Sequence, residues 1–90
     1  MNIYLLDGKD MTDRAAAYDV IARTLRLPAW FGRNLDALGD CISEMPADES
    51  AVIFVNTAVL KENLGPYAAR MLACFREECG EIGLRFIEKP

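Results

Sequence analysis

Three short apolar runs, Asn2–Leu6, Ala51–Val55 and Leu84–Ile87, are separated by segments far too long for hairpin turns. Each intervening segment carries two stretches of helical character. Parallel strands need crossovers of about a dozen residues or more, usually helical, and such crossovers are right-handed. The spacing therefore predicts an α/β fold of order β-α-α-β-α-α-β, a three-stranded parallel sheet with helices packed mainly on one face. Ninety residues, 52% of them hydrophobic, are enough for one core and too few for two. The expectation is one domain over residues 1–90.

The helices read from apolar spacing and capping residues. Tyr18, Ile21, Ala22 and Leu25 follow i, i+3, i+4, i+7, so Asp13–Arg26 is an amphipathic helix, capped by Thr12 or Asp13 and closed by Pro28. Asn34 is placed to cap a second helix with Leu35, Leu38, Ile42 and Met45 as its buried stripe. Thr57–Asn63 is a short helix. Pro66 suits the first position of the last one, whose stripe is Ala68, Met71, Leu72, Phe75 and Cys79, with Gly80 as its left-handed cap.

The segment Leu27–Ile42, LPAWFGRNLDALGDCI, breaks local folding rules. Asp36 and Asp40 are neighbours at i, i+4, where like charges are mildly destabilising. Gly39 between them costs roughly 1 kcal/mol relative to Ala in a helix interior. Lapses of this kind collect at functional sites. Asp36 sits in the first turn, where the helix dipole favours any carboxylate. Asp40 lies a full turn further in, and Glu44 extends the acidic row. In the preceding loop, Phe31 reads as a core plug, whereas Trp30 suits either a plug or a contact. Gly39 reads as room for the close approach of a partner.

Several function classes are excluded or disfavoured. The chain contains no histidine, which removes Ser-His-Asp and Cys-His catalysis and imidazole metal sites. Its three cysteines, Cys41, Cys74 and Cys79, lack paired zinc spacing and read as reduced, buried thiols of a cytoplasmic protein. With 10 basic against 14 acidic residues and a net charge of −4, no basic stripe marks a nucleic-acid surface. The N-terminal stretch lacks the basic region of a signal peptide, and no apolar stretch approaches membrane-spanning length.

Leu27-Pro28, Gly32, Asn34-Leu35-Asp36-Ala37-Leu38 and Asp40-Cys41, with Phe75-Arg76-Glu77 in the last helix, resemble the signature of the barstar family. That family comprises intracellular inhibitors of barnase-type ribonucleases. The resemblance implies Asn2–Leu6 as the middle strand. It also implies a non-enzymatic inhibitor that plugs a basic active-site cleft with acids mimicking RNA phosphate. Asp40 would occupy a phosphate position, Asp36 and Glu77 would pair with basic groups, and Trp30, Gly32, Asn34 and Gly39 would complete the contact surface. The implied partner is a basic, extracellular-type ribonuclease, met by a free monomer with no cofactor and no metal. Gly39 and Arg33 depart from the family pattern: an aromatic is lost at the first, and an acid is replaced by a base at the second. Two other readings stand beside this one. One is an interaction module with a non-nuclease partner. The other is a magnesium enzyme using the Asp36, Asp40 and Glu44 row, although no phosphate loop accompanies that row.

Overall fold

A computed structural model describes residues 2–90. The elements are β1 (Asn2–Asp7), a 3₁₀ turn (Gly8–Asp10), α1 (Arg14–Leu25), α2 (Leu35–Ser43), β2 (Ser50–Val55), α3 (Thr57–Leu64), α4 (Pro66–Ile82) and β3 (Arg85–Glu88). All strand pairs are parallel, as the crossover lengths predict, with Ile3 beside Ala51 beside Arg85, and Leu5 beside Ile53 beside Ile87.

The strand order is β1-β2-β3, so the middle strand is β2 and Asn2–Leu6 lies at an edge. This corrects the central placement implied by the resemblance, and the reason is topological. Right-handed crossovers leave their helices on one face only if each step moves in the same direction along the sheet. Steps in opposite directions, as a central β1 demands, place the two helix pairs on opposite faces. One helical layer and a central β1 are incompatible.

Strand alternation divides the sheet's two faces. Tyr4, Leu6, Val52, Phe54 and Phe86 turn toward the helices, with Leu6, Val52 and Phe54 fully buried. Ile3 and Leu5 project to the open face and remain 53% and 57% exposed. The first apolar run is thus half-buried, not a strand covered on both sides. From the helices, Ile21, Leu38, Leu60, Met71, Phe75 and Cys79 complete the core at zero exposure.

Caps set the helix ends. Asp13 accepts a bond from the Ala16 amide at 2.8 Å, settling the choice between it and Thr12. Pro66 holds the first position of α4. That helix runs past Gly80 and ends at Gly83, which takes the left-handed conformation (φ 73°) and returns its amide to the Cys79 and Gly80 carbonyls. The expected cap at Gly80 was one turn early, because Ile82 still packs against the core.

At the C-terminal end of the sheet, Asp7 accepts bonds from Asn56 Nδ2 at 2.8 Å and from the Lys9 amide at 2.9 Å. These bonds hold its carboxyl below the usual 3.8. A depressed folded-state pKa contributes stability that is present above the unfolded value and lost as pH falls through the folded one. Asp7→Asn is therefore expected to lower stability at neutral pH and to flatten the loss of stability below about pH 4. Urea unfolding at pH 7 and pH 3 reads this out. An unchanged acid slope would remove Asp7 from the account.

Candidate functional site

The site is built from the loop between α1 and α2, the exposed face of α2, and α4. Phe31 fixes the loop: it is 6% exposed, its ring centroid is 5.8 Å from that of Tyr18, and its amide donates to Pro28 O at 2.9 Å. Trp30, its neighbour, is 81% exposed. A tryptophan left in water by a loop that is otherwise anchored does no folding work. The open question between plug and contact resolves to Phe31 inside and Trp30 outside.

Asn34 uses both ends of its side chain within the chain. Its Oδ1 accepts from the Ala37 amide at 2.8 Å, and its Nδ2 donates to Gly32 O at 3.2 Å. It therefore caps α2 and ties the loop to it. A Cβ on Gly32 would lie 3.2 Å from the Ala37 Cβ and 3.3 Å from Asn34 Nδ2, so a larger residue here would have to push the loop or its neighbours aside by a few tenths of an ångström. Arg33, in the left-handed region (φ 54°), pairs with Asp19 on α1. Its charge is thus matched inside the molecule, not offered as a free cation beside the acids.

Leu38 and Ile42, both fully buried, set the rotation of α2. Asp36 and Asp40 are thereby turned to solvent. Gly39 is buried, and a Cβ there would meet Glu78 and Cys74 of α4 at 3.5–3.7 Å. A methyl group there would make only ordinary contacts, and Gly39 lines the groove between α2 and α4 with Asp36, Asp40, Cys74, Glu77 and Glu78. That groove encloses about 630 Å³. Asp40 also borders a second depression with Trp30, Gly32 and Glu44, so it stands on the ridge between the two. Among the described residues the ion pairs are Arg33–Asp19 and Arg76–Glu88, and no carboxylate of the groove has a cationic partner.

The structure brings Asp36, Gly39, Asp40 and Glu77 to one groove, with Trp30, Gly32 and Asn34 in the adjoining loop. Sequence reading missed Glu78, which is half-buried, and Arg70, which lines the far end. The spacing of Arg70, Cys74 and Glu78 at i, i+4, i+8 was the available signal. Among the described residues no three His, Cys, Asp or Glu side chains gather as metal ligands would. The acidic row is spread along the helix, not gathered around a point.

The cysteines are free thiols, but only Cys79 is buried as expected; Cys41 and Cys74, toward the edges of the helix contacts, are half-buried. Burial first, then Glu78, Glu77 and Asp36, pushes Cys74 up to about 11. Burial likewise raises Cys79 to about 11, and Cys41 is raised by burial with Glu44 and Asp40. The thiolate is the reactive form, so none of the three is poised for nucleophilic chemistry at neutral pH.

The fold and the site define a small parallel α/β domain whose α2–α4 groove presents carboxylates that enter no ion pair among the described residues. The sequence model of the family described as Barstar (barnase inhibitor) matches residues 1–88, and the chain belongs to that family. It is also similar to the Bacillus subtilis (strain 168) protein named "Putative ribonuclease inhibitor YrdF", with 29% identity over 82 residues, covering 91% of this chain and 90% of that one. Family and relative together support a ribonuclease-inhibitor role and point away from an enzyme. Among the described residues no helix is long and apolar enough to cross a membrane.

Proposed function

We propose that the chain is a cytoplasmic inhibitor of a barnase-like ribonuclease, and that one copy plugs one basic active-site cleft with the α2–α4 groove. The observation that carries this reading is the set of carboxylates Asp36, Asp40, Glu77 and Glu78, which share one groove and enter no ion pair among the described residues. A cleft that binds RNA phosphates presents cations, and carboxylates held on a helix meet them with little ordering cost at binding. Asp40, on the ridge, takes a phosphate position. Asp36 and Glu77 flank it, and the exposed Trp30 supplies an aromatic anchor of the type that dominates interface energetics. Gly32 and Asn34 hold the loop at the rim, and Gly39 gives the groove its depth.

The test is inhibition of RNA cleavage by purified barnase-type ribonucleases, with association kinetics across a salt series. Charge-steered association falls steeply as salt rises, since exposed charges are screened within about 10 Å at 0.1 M. A rate that falls between 20 mM and 500 mM salt, about tenfold or more, is the expected result. Absence of inhibition across such ribonucleases would defeat the proposal.

A further inference from the structure

Beside the acidic groove lies a notch of opposite character. Arg14, at the start of α1, stacks its guanidinium on the Tyr67 ring, with Cζ 3.8 Å from the centroid. Arg70, one turn along α4 from Tyr67, places its own Cζ 5.7 Å from the same centroid. Tyr67 is an anchored platform. It is 9% exposed, its hydroxyl bonds that of Tyr18 at 2.5 Å, and the two rings meet edge-on. With Asn34, Leu35 and Asp36 these residues line a depression of about 300 Å³.

Neither arginine is in an ion pair among the described residues. Arg33 and Arg76 both are, with Asp19 and Glu88. Arg70 borders the acidic groove as well as the notch, and Asp36 belongs to both. The surface that meets the partner is therefore bipolar, with acids along Asp40, Glu77 and Glu78 and two cations at the α2 N-terminal end. A uniformly basic cleft would be repelled at that end.

We propose that the Arg14–Tyr67–Arg70 notch receives a carboxylate side chain of the ribonuclease partner, an acid set within or beside its basic cleft, and so selects which ribonuclease is bound. The proposal rests on the ribonuclease reading above. A guanidinium presents paired donors that match a carboxylate, and an arginine already stacked on an aromatic face has less freedom to lose on binding. A protein carboxylate is favoured over nucleic-acid phosphate because the adjoining groove repels a polyanion, whereas a single acid carried by a cationic partner is drawn in with it.

Two measurements test this. The first compares wild type, Arg70→Gln, Arg70→Glu and Asp40→Ala as inhibitors of a barnase-type ribonuclease that wild type inhibits. Arg70→Glu should weaken inhibition by about tenfold or more and Arg70→Gln by less. Reversing one acid of the ribonuclease to lysine should restore tight inhibition by Arg70→Glu alone. The second follows ¹⁵N NMR signals, including the arginine Nε–H groups, during titration with acetate at constant ionic strength. Saturable shifts at Arg14, Tyr67 and Arg70 that vanish in Arg70→Glu are expected, with Gly39 and Asp40 unmoved. If Asp40→Ala loses inhibition while Arg70→Glu keeps it, the notch proposal fails and the ribonuclease reading stands. If wild type inhibits no such enzyme, that reading fails, and the acetate titration decides the notch as a carboxylate site. Absence of acetate shifts at the notch overturns it.

Discussion

Replacing Asp40 by alanine is expected to weaken ribonuclease inhibition by about 2–5 kcal/mol, or roughly 30- to 5,000-fold, and to leave folding stability unchanged. That range comes from charged interface pairs, the barnase–barstar pair among them. Asp40 is exposed, and no ion pair involves its carboxylate among the described residues. Surface changes of that kind stay within about 0.5 kcal/mol in unfolding. In a cleft, the same deletion leaves the partner's cations desolvated and unmatched, which accounts for the size of the effect. Glu44→Ala is the control. It is on the same acidic row, but it follows the end of α2 and lies outside the α2–α4 groove. Its effect should remain below about 1 kcal/mol, as for a rim charge. Equal inhibition by the two variants would place the contact surface elsewhere.

What could be read from the chain and what could not divide along physical lines. Periodicity and caps are local, so the helices of Tyr18, Ile21 and Leu25, and of Leu38 and Ile42, were legible with their buried faces. Because those two residues set the rotation of α2, the outward direction of Asp36 and Asp40 was legible too. Strand order was not a local property, yet it followed from one helical layer and right-handed crossovers taken together. The implied central β1 failed because it ignored that coupling. The exposure of Ile3 and Leu5 depends on the described residues forming no second layer on the far face of the sheet, which no run of apolar residues reveals. Gly39 reads as space for a partner, and that its Cβ direction faces Cys74 and Glu78 was not legible, because that helix contact joins residues 35 and 39 positions apart. Glu77 came into view only through resemblance. Arg14, Arg70 and Glu78 stayed invisible, since their roles exist only where α1, α2 and α4 meet. The pairing of Arg33 with Asp19 was not legible either, since it joins the loop to α1 across 14 positions of the chain.

Phe75→Ala is the change expected to cost the fold most. Phe75 is fully buried and joins α4 to the middle strand β2 and the edge strand β3, lying edge-on to Phe54 at 5.7 Å and stacked on Phe86 at 5.6 Å with planes 11° apart. Truncating a core phenylalanine removes its transfer free energy and leaves a cavity, about 3–5 kcal/mol in all, and aromatic pairs add about 0.5–1.5 kcal/mol each beyond burial. Small domains hold about 5–15 kcal/mol in total, so a large part of the stability is at stake. The thermal midpoint should fall by at least about 12 °C for a chain of this size. Phe75→Leu, which keeps most of the volume, should cost much less. The consequence for binding separates this variant from Asp40→Ala. Glu77 and Glu78 follow Phe75 on α4 but point into the groove, so folded Phe75→Ala at low temperature should inhibit as wild type does and lose activity only as it unfolds. Equilibrium urea denaturation paired with inhibition at 10 °C and 37 °C measures both quantities. A cost of about 1 kcal/mol or less would mean that α4 is held to the sheet by other contacts than this aromatic stack.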